Sequence, residues 1–242
     1  MERVLVIGAT SGIGRALAGR LAASGCRVGI VGRRAEPLTE RDSDPSENPF
    51  FQAAADVTDP AAAVAVLERL VQRMGGMDLC LVAAGAGELN PELDYALELP
   101  AIRTNVVGWT AVVDWAYGYF ERQGRGHLAV ITSVGGLRGS CAAPAYNASK
   151  AAVKGLTVGM AASYAADNIT VNSIGPGLFE SEMTENTLFR HEAFMQMYDT
   201  LTPASRPGAK GELNGTILYF SSQASSYVTG QHIIVDGGFS IV

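Results

Sequence analysis

Short apolar runs alternate with longer stretches of helical period along almost the whole chain. Several runs rich in Val, Ile and Leu lack polar alternation, which is typical of strands covered on both faces. The runs predict strands at residues 3–7, 27–31, 50–55, 78–82, 128–132, 170–174 and 232–235. The helical spacing predicts helices at residues 13–24, 60–74, 101–122, 145–166 and 209–222.

Strands and helices in repeated alternation predict a parallel sheet with right-handed crossovers and helices on both faces. No linker or repeat interrupts the 242 residues, so we expect a single α/β domain with a doubly wound, Rossmann-type sheet of about seven strands. Two segments are irregular. Residues 35–49 are predicted to be a solvated connection, whereas residues 178–208, rich in Phe, Met and Tyr, are predicted to form a substrate lid.

Composition excludes several classes of function. The net charge is −6, and a nucleic-acid groove would need many more clustered cations. Cys26, Cys80 and Cys141 are far apart without a Cys-x-x-Cys pair, which argues against a disulfide framework and a cysteine metal site. No apolar run approaches the roughly 18 residues of a membrane span. We therefore expect a cytoplasmic protein with no metal, membrane or nucleic-acid partner.

A glycine-rich turn joins the first predicted strand to the first predicted helix. Gly8, Gly12 and Gly14 allow a tight turn and close approach of the backbone to a pyrophosphate, which the helix N-terminus then attracts. The same turn places three more candidate cofactor contacts, Thr10, Ser11 and Ile13. A tight turn without a ligand is the alternative, but the position between strand and helix favours a dinucleotide site.

Arg33 and Arg34 follow the second strand, where the adenosine ribose of a dinucleotide would lie. No carboxylate is present there to accept from the ribose hydroxyls, and guanidinium groups suit a 2′-phosphate, so NADP(H) is favoured and NAD(H) remains possible. The alternative is that both arginines are solvated surface residues. Asp56 and Val57, after the third strand, are candidates for the adenine edge, although an aspartate in such a position is often a helix cap.

Tyr146 and Lys150 are four residues apart and share one face of a predicted helix. An ammonium near a phenol favours the phenolate and is expected to lower the pKa of Tyr146, which would make it an acid–base group near neutral pH. Ser133, at the end of the fifth strand, is expected to place its hydroxyl beside the carbonyl oxygen of the substrate on which Tyr146 would act. The three residues together predict carbonyl chemistry.

With these motifs the sequence resembles the short-chain dehydrogenase/reductase family, in its compact one-domain branch. The resemblance covers nearly the whole chain and extends to further residues: Asn105, Pro176, Gly177, and the run from Val235 to Gly238. It implies that Tyr146 is the general acid/base, that Ser133 polarises the carbonyl, and that Lys150 binds the nicotinamide ribose. It also implies that Asn105 holds a water of the proton relay.

The sequence departs from the family pattern at three places. Ile7 stands where a Thr is usual, the end of the fourth strand reads Val82-Ala83-Ala84-Gly85 instead of Asn-Asn-Ala-Gly, and Ser181 replaces the usual Thr. None of these changes removes a catalytic group. Ala84, Gly85, Pro176, Gly177 and Ser181 are therefore still expected to contact the cofactor.

The sequence thus predicts an NADP(H)-dependent oxidoreductase that interconverts a small-molecule ketone and a secondary alcohol. Two alternatives are an NAD-dependent sugar or polyol dehydrogenase of the same family and a non-catalytic module that senses NADP(H). The predicted helix at residues 101–122 is apolar nearly all round, which indicates burial against a partner subunit. The family resemblance implies a homotetramer, a dimer of dimers.

Overall fold

A computed structural model of the protein describes residues 3–34, 50–140, 142–186 and 188–242. Seven parallel strands form one sheet in the order β3-β2-β1-β4-β5-β6-β7. The strands are β1 (Arg3–Ile7), β2 (Arg27–Gly32), β3 (Phe50–Ala54), β4 (Leu79–Val82), β5 (Gly126–Ile131), β6 (Ile169–Pro176) and β7 (His232–Val235). The predicted fold class is confirmed. The predicted connection at residues 35–49 and Cys141 lie outside the described residues.

Eight α-helices accompany the strands in the described part of the chain. They are α1 (Gly12–Ala23), α2 (Pro60–Met74), α3 (Tyr95–Ile102), α4 (Trp109–Gln123), α5 (Pro144–Tyr164), α6 (Glu182–Asn186), α7 (Glu192–Leu201) and α8 (Asn214–Phe220). None of the described helices is long and apolar enough to cross a membrane.

The two faces of the sheet carry separate buried cores. In β1, Leu5 and Ile7 pack with residues of α2, α4 and α5 on one face. Val4 and Val6 point to the other face, where they pack with residues of α1 and α8. Because both faces are covered, every position of such a strand is apolar, which is the pattern read from the sequence.

The helix predicted at residues 101–122 differs in the structure. It begins at Tyr95, where the Asp94 carboxylate accepts a hydrogen bond from the backbone N–H of Ala96 at 2.8 Å. A π-helical segment, Arg103–Gly108, then links α3 to α4. Pro100 lies inside α3, and a proline usually marks a boundary because it donates no hydrogen bond. The early start was therefore not predicted.

The second half of the chain also shows more helix than predicted in one place and less in another. Residues 178–208 contain α6 and α7, and α7 ends at Leu201, one residue before Thr202-Pro203. The helix predicted at residues 209–222 is instead a 3-10 turn, Lys210–Leu213, followed by the seven-residue α8.

Strand order reverses beside β1, which lies between β2 and β4. The connections from these strands leave in opposite directions, so a crevice opens at their carboxyl ends. In open α/β sheets this crevice is the usual place for a ligand.

Candidate active site

A cleft with a volume of about 780 Å³ lies at the carboxyl ends of the central strands. That volume is in the range of small-molecule and cofactor pockets. The predicted site residues that line it are Gly8, Thr10, Ser11, Gly12, Ile13, Gly14, Arg33, Asp56, Val57, Ala84, Gly85, Ser133, Tyr146, Lys150, Pro176, Gly177 and Ser181. Arg34 and Asn105 are not among its lining residues. The structure thus brings together residues from seven separate parts of the sequence.

The glycine turn packs directly against the end of β4. Gly8 has a φ of 87°, and a side chain there would collide with the backbone of Ala84. A side chain at Gly14 would collide with the carbonyl of Gly8, so the first turn of α1 lies tight against the strand. This first turn contains no acidic residue, and the side chain of Ser11 makes no capping hydrogen bond. Its N–H groups and the positive end of the helix dipole therefore suit a pyrophosphate.

Asp56 lies two residues beyond the end of β3 and is exposed at the cleft. Its carboxylate accepts hydrogen bonds from the backbone N–H of Thr58 at 2.9 Å and from the Thr58 hydroxyl at 2.8 Å. These bonds, with a smaller contribution from Arg33, hold the pKa of Asp56 below its ordinary value. The N-cap of α2 is Asp59, so the alternative of a helix cap does not apply to Asp56.

The two arginines after β2 have different surroundings. Arg33 lines the cleft, whereas Arg34 forms an ion pair of 3.2 Å with Glu182 at the start of α6. Glu182 itself lines the cleft. The sequence did not distinguish the two arginines, because the partner of Arg34 is 148 residues away.

Ser133, Tyr146 and Lys150 meet on one wall of the cleft. Lys150 is only 5% exposed, donates a hydrogen bond to the carbonyl of Ile131 at 3.0 Å, and lies 5.7 Å from the centroid of the Tyr146 ring. The Ser133 hydroxyl lies close enough to Tyr146 to lower the pKa of the phenol, and it accepts a hydrogen bond from the backbone N–H of Gly135 at 3.0 Å. The hydroxyls of Ser133 and Tyr146 can therefore act on one substrate oxygen.

Burial is the main cause of the pKa shifts of Lys150 and Tyr146, both on α5. It lowers the pKa of Lys150 from 10.5 to about 8. Burial also raises the pKa of Tyr146, and the hydrogen bond with Ser133 offsets this only in part. The pKa shift of Tyr146 is opposite in direction to the shift expected from the sequence, because loss of solvent outweighs any effect of the nearby ammonium.

Asn105 lies in the π-helical segment, a feature that is frequent at functional sites. It is buried, and its side chain is fully engaged. Oδ1 accepts from the N–H of Ala86 at 2.8 Å, and Nδ2 donates to the Ala86 carbonyl at 2.7 Å and to the Ser149 hydroxyl at 2.9 Å. Asn105 therefore fixes the chain after β4 against α5, although its side chain is not part of the cleft wall.

Comparison with known proteins decides the family. A family model described as enoyl-(acyl carrier protein) reductase, of the short-chain alcohol dehydrogenase type, matches residues 8–240. The chain belongs to the short-chain dehydrogenase/reductase family. It is accordingly an NAD(P)-dependent oxidoreductase of the compact, one-domain type.

Relatives within the short-chain dehydrogenase/reductase family match over nearly their full length. Gluconate 5-dehydrogenase of Gluconobacter oxydans is 35% identical, over 99% of this chain and 94% of that protein. Galactitol 2-dehydrogenase (L-tagatose-forming) of Cereibacter sphaeroides is 33% identical, over 98% and 94%. The crystal structure of a gluconate 5-dehydrogenase from Burkholderia cenocepacia, in complex with NADP and tartrate, is 28% identical with a TM-score of 0.90, over 100% and 96%.

Several residues that line the cleft of this family member were not predicted from the sequence. Tyr95, Leu99 and Arg103 come from α3 and the π-helical segment. Tyr95 and Leu99 were missed because the predicted helix began only after Pro100, whereas Arg103 lies within that predicted helix but had no motif to mark it. The signal that could have revealed them is Asp94, an N-cap residue directly before Tyr95.

Three aromatic residues of the segment 178–208 divide into two groups. Phe179 lines the cleft and is 4% exposed, since it also packs into the core of the α1 face. Tyr198 instead stacks on Phe239 with ring centroids 5.0 Å apart, and Phe194 lies 6.4 Å from Tyr198 on its own helix. The second group therefore holds α7 against the C-terminal segment and does not form the wall of the cleft.

Proposed function

We propose that this protein interconverts a ketone and a secondary alcohol, with Tyr146 as the general acid/base. The observation that carries the proposal is the meeting of Ser133, Tyr146 and Lys150 on one wall of the cleft that also contains the glycine turn. A structural role alone would not require a buried lysine, a tyrosine and a serine together in the lining of a pocket.

In the proposed mechanism the hydroxyls of Ser133 and Tyr146 hold the carbonyl oxygen of the substrate. The nicotinamide cofactor, when bound, supplies or accepts a hydride. Tyr146 donates the proton in the reductive direction, and its raised pKa keeps the phenol protonated at neutral pH. Lys150 would hold the nicotinamide ribose and, with a water near Asn105, would resupply the proton. These roles follow the family resemblance, residue by residue.

The cleft fits a dinucleotide, and we propose that NADP(H) is preferred over NAD(H). The tight glycine turn and the free N–H groups of α1 suit the pyrophosphate. Arg33 lines the cleft beside Asp56, where it can reach a 2′-phosphate. The related gluconate 5-dehydrogenase of Burkholderia cenocepacia holds NADP.

The substrate class that we propose first is a polyhydroxylated ketone or alcohol. Relatives at 33–35% identity are named for gluconate and galactitol. The description of the matching family model favours a second candidate, reduction of an enoyl thioester. The two differ at the reacting bond, since Ser133 and Tyr146 would act on a carbonyl oxygen in the first case and on an enolate oxygen in the second.

A direct test follows NADPH and NADH absorbance with a panel of substrates. The panel contains 5-ketogluconate, L-tagatose, a 3-oxoacyl thioester and an enoyl thioester, with gluconate and galactitol in the oxidative direction. Turnover of a ketone or secondary alcohol that is lost in Tyr146→Phe would support the proposal. Turnover of the enoyl thioester alone would favour the second candidate, and dinucleotide binding without any turnover would favour the sensing module.

We further propose a cytoplasmic homotetramer in which α4 and α5 face a partner subunit. Trp109, Val112 and Val113 of α4 are buried within the chain itself. Val107 and Val158 are 52% and 50% exposed, so apolar surface remains on this side of the protein. Cell fractionation tests the location, and light scattering tests the assembly.

A further inference from the structure

The helix that carries Tyr146 begins without a cap of its own. The N-cap residue of α5 is Ala143, which has no side-chain acceptor, and Pro144 at the first helical position has no N–H. The first backbone N–H of the helix belongs to Ala145, the residue directly before Tyr146. Without a partner this N–H would leave the first turn of α5 weakly held.

The carboxylate of Glu98, on α3, supplies the missing partner. Its Oε2 accepts a hydrogen bond from the backbone N–H of Ala145 at 2.6 Å. Glu98 lies 47 residues earlier in the chain, so this is a cap provided by a different helix. A negative charge is also well placed at the N-terminus of a 21-residue helix, because it opposes the positive end of the helix dipole.

Glu98 is held in place by Asn90. The Nδ2 group of Asn90 donates to the other oxygen of Glu98 at 2.6 Å and to the Asp94 carbonyl at 2.9 Å, and Oδ1 accepts from the N–H of Asp94 at 2.9 Å. The backbone N–H of Asn90 donates to the carbonyl of Ala142 at 2.6 Å. Asn90 is 2% exposed, so its polar groups depend on these protein partners and not on solvent for their hydrogen bonds.

The same stretch of chain also touches the Tyr146 ring. A side chain at Gly87 would collide with this ring, so the backbone of Gly87 lies against the phenol. One residue earlier, Ala86 is held by both polar atoms of Asn105. The segment from Ala86 to Glu98 therefore contacts Tyr146 twice, at its ring and through the helix turn that carries it.

From these contacts we infer that Glu98 is a positioning residue for the reaction, which acts through the first turn of α5 to place the Tyr146 phenol beside Ser133. The inference rests on the proposed role of Tyr146. A misplacement of about 1 Å at a reacting group can cost roughly a hundredfold in rate, so a loosened first turn has a large effect on turnover.

The variant Glu98→Leu tests the inference, with Glu92→Leu as a matched control. Glu92 is an exposed glutamate shortly before α3. We expect kcat to fall about tenfold or more in Glu98→Leu, while KM and the Kd for NADPH change less than twofold. Glu98→Gln keeps an acceptor for the Ala145 N–H but loses the bond to Asn90, and an intermediate loss of about threefold is expected.

The pH profile of kcat separates positioning from general packing. The pKa of Tyr146 depends on its burial and on its contact with Ser133, so a displaced phenol should shift the apparent pKa in Glu98→Leu. Normal kcat in folded Glu98→Leu, or a fall in kcat with an unmoved pH profile, would overturn the inference. Normal turnover of Tyr146→Phe would overturn the proposed function itself, whereas an inactive Tyr146→Phe beside a fully active Glu98→Leu would overturn only the inference.

Discussion

The ammonium of Lys150 lies 5.7 Å from the centroid of the Tyr146 ring, one helical turn away on the same face of α5. Burial shifts both groups towards their neutral forms, with the pKa of Lys150 at about 8 and that of Tyr146 above its ordinary value. At neutral pH Tyr146 therefore holds its proton while Lys150 is still mostly charged. In these protonation states Tyr146 can donate a proton to a substrate oxygen.

Replacement of Tyr146 by Phe removes the proposed acid while it keeps the ring. We predict that turnover falls by at least about a hundredfold, as expected for loss of a general acid, and that the Kd for NADPH changes little. Steady-state kinetics and fluorescence titration measure the two quantities. Tyr227→Phe is the control, since Tyr227 is fully exposed. Near-normal turnover of Tyr146→Phe would contradict the mechanism.

The buried Lys150 predicts a pH dependence of stability. Its pKa falls from 10.5 to about 8 on folding, so the unfolded chain binds more protons than the folded protein between these values. The cost of burying the ammonium is therefore complete below about pH 8 and disappears as the pH rises towards 10.5. Relative to Lys150→Met, the wild-type protein should gain stability as the pH rises through this range.

Urea unfolding at pH 7.5 and pH 10 measures this difference between the wild-type protein and Lys150→Met. Comparison with the variant is needed because Tyr146 begins to titrate at the upper end of this range with the opposite sign: its raised pKa adds stability that is lost at high pH. Lys154→Met, one turn further along α5, is the control for loss of a lysine from this helix. A difference that is constant, or that reverses, would contradict the burial argument.

The exposed apolar residues of the α4–α5 side predict an oligomer. Light scattering at micromolar concentration should give a mass of about four times 25.3 kDa. Val158→Asp should reduce this mass, because a carboxylate on a half-exposed position of α5 could not be buried against a partner without a large desolvation cost. Tyr227→Asp, at a fully exposed position, should leave the mass unchanged. A monomeric wild-type protein would exclude the assembly.

The parts of the molecule that could be predicted are those specified by local pattern. The strand β1 is apolar from Val4 to Ile7 because both of its faces are covered. The turn that follows it needs glycine because a side chain at Gly8 would collide with the backbone of Ala84, and the spacing of its glycines is visible in the sequence. Tyr146 and Lys150 could be paired because helical spacing alone brings them to one face.

The parts that could not be predicted depend on contacts between distant residues. The start of α3 was not predicted because Pro100 lies inside this helix. The cost of a proline inside a helix is offset by the Asp94 cap and by the hydrogen bond that Glu98 accepts from Ala145. The pairing of Arg34 with Glu182 joins residues 148 positions apart. The direction of the pKa shift of Tyr146 depends on burial, which the spacing of Tyr146 and Lys150 in the sequence does not reveal.

Cofactor preference depends on Arg33 in the proposed site. A charge-assisted hydrogen bond to a 2′-phosphate contributes about 1.5–3 kcal/mol, or roughly ten- to a hundredfold in affinity. We predict that NADP(H) binds more tightly than NAD(H) by about this factor and that Arg33→Ala removes most of the preference. Arg34→Ala is the matched control, since Arg34 is paired with Glu182, and it should have a smaller effect. Fluorescence titration with both dinucleotides measures the preference.

The reverse change, towards NAD(H), requires two substitutions because of Thr10. A side chain at Gly32 would place its Cβ 2.6 Å from both Cγ2 and Oγ1 of Thr10, so Gly32→Asp alone should destabilise the turn. Gly32→Asp with Thr10→Gly clears this space, and the new carboxylate should then repel a 2′-phosphate and accept from free ribose hydroxyls. Thr10→Gly alone is the control and should keep the wild-type preference. Equal affinities in the wild-type protein, or a preference that survives loss of Arg33, would show that Arg33 is only a solvated surface residue.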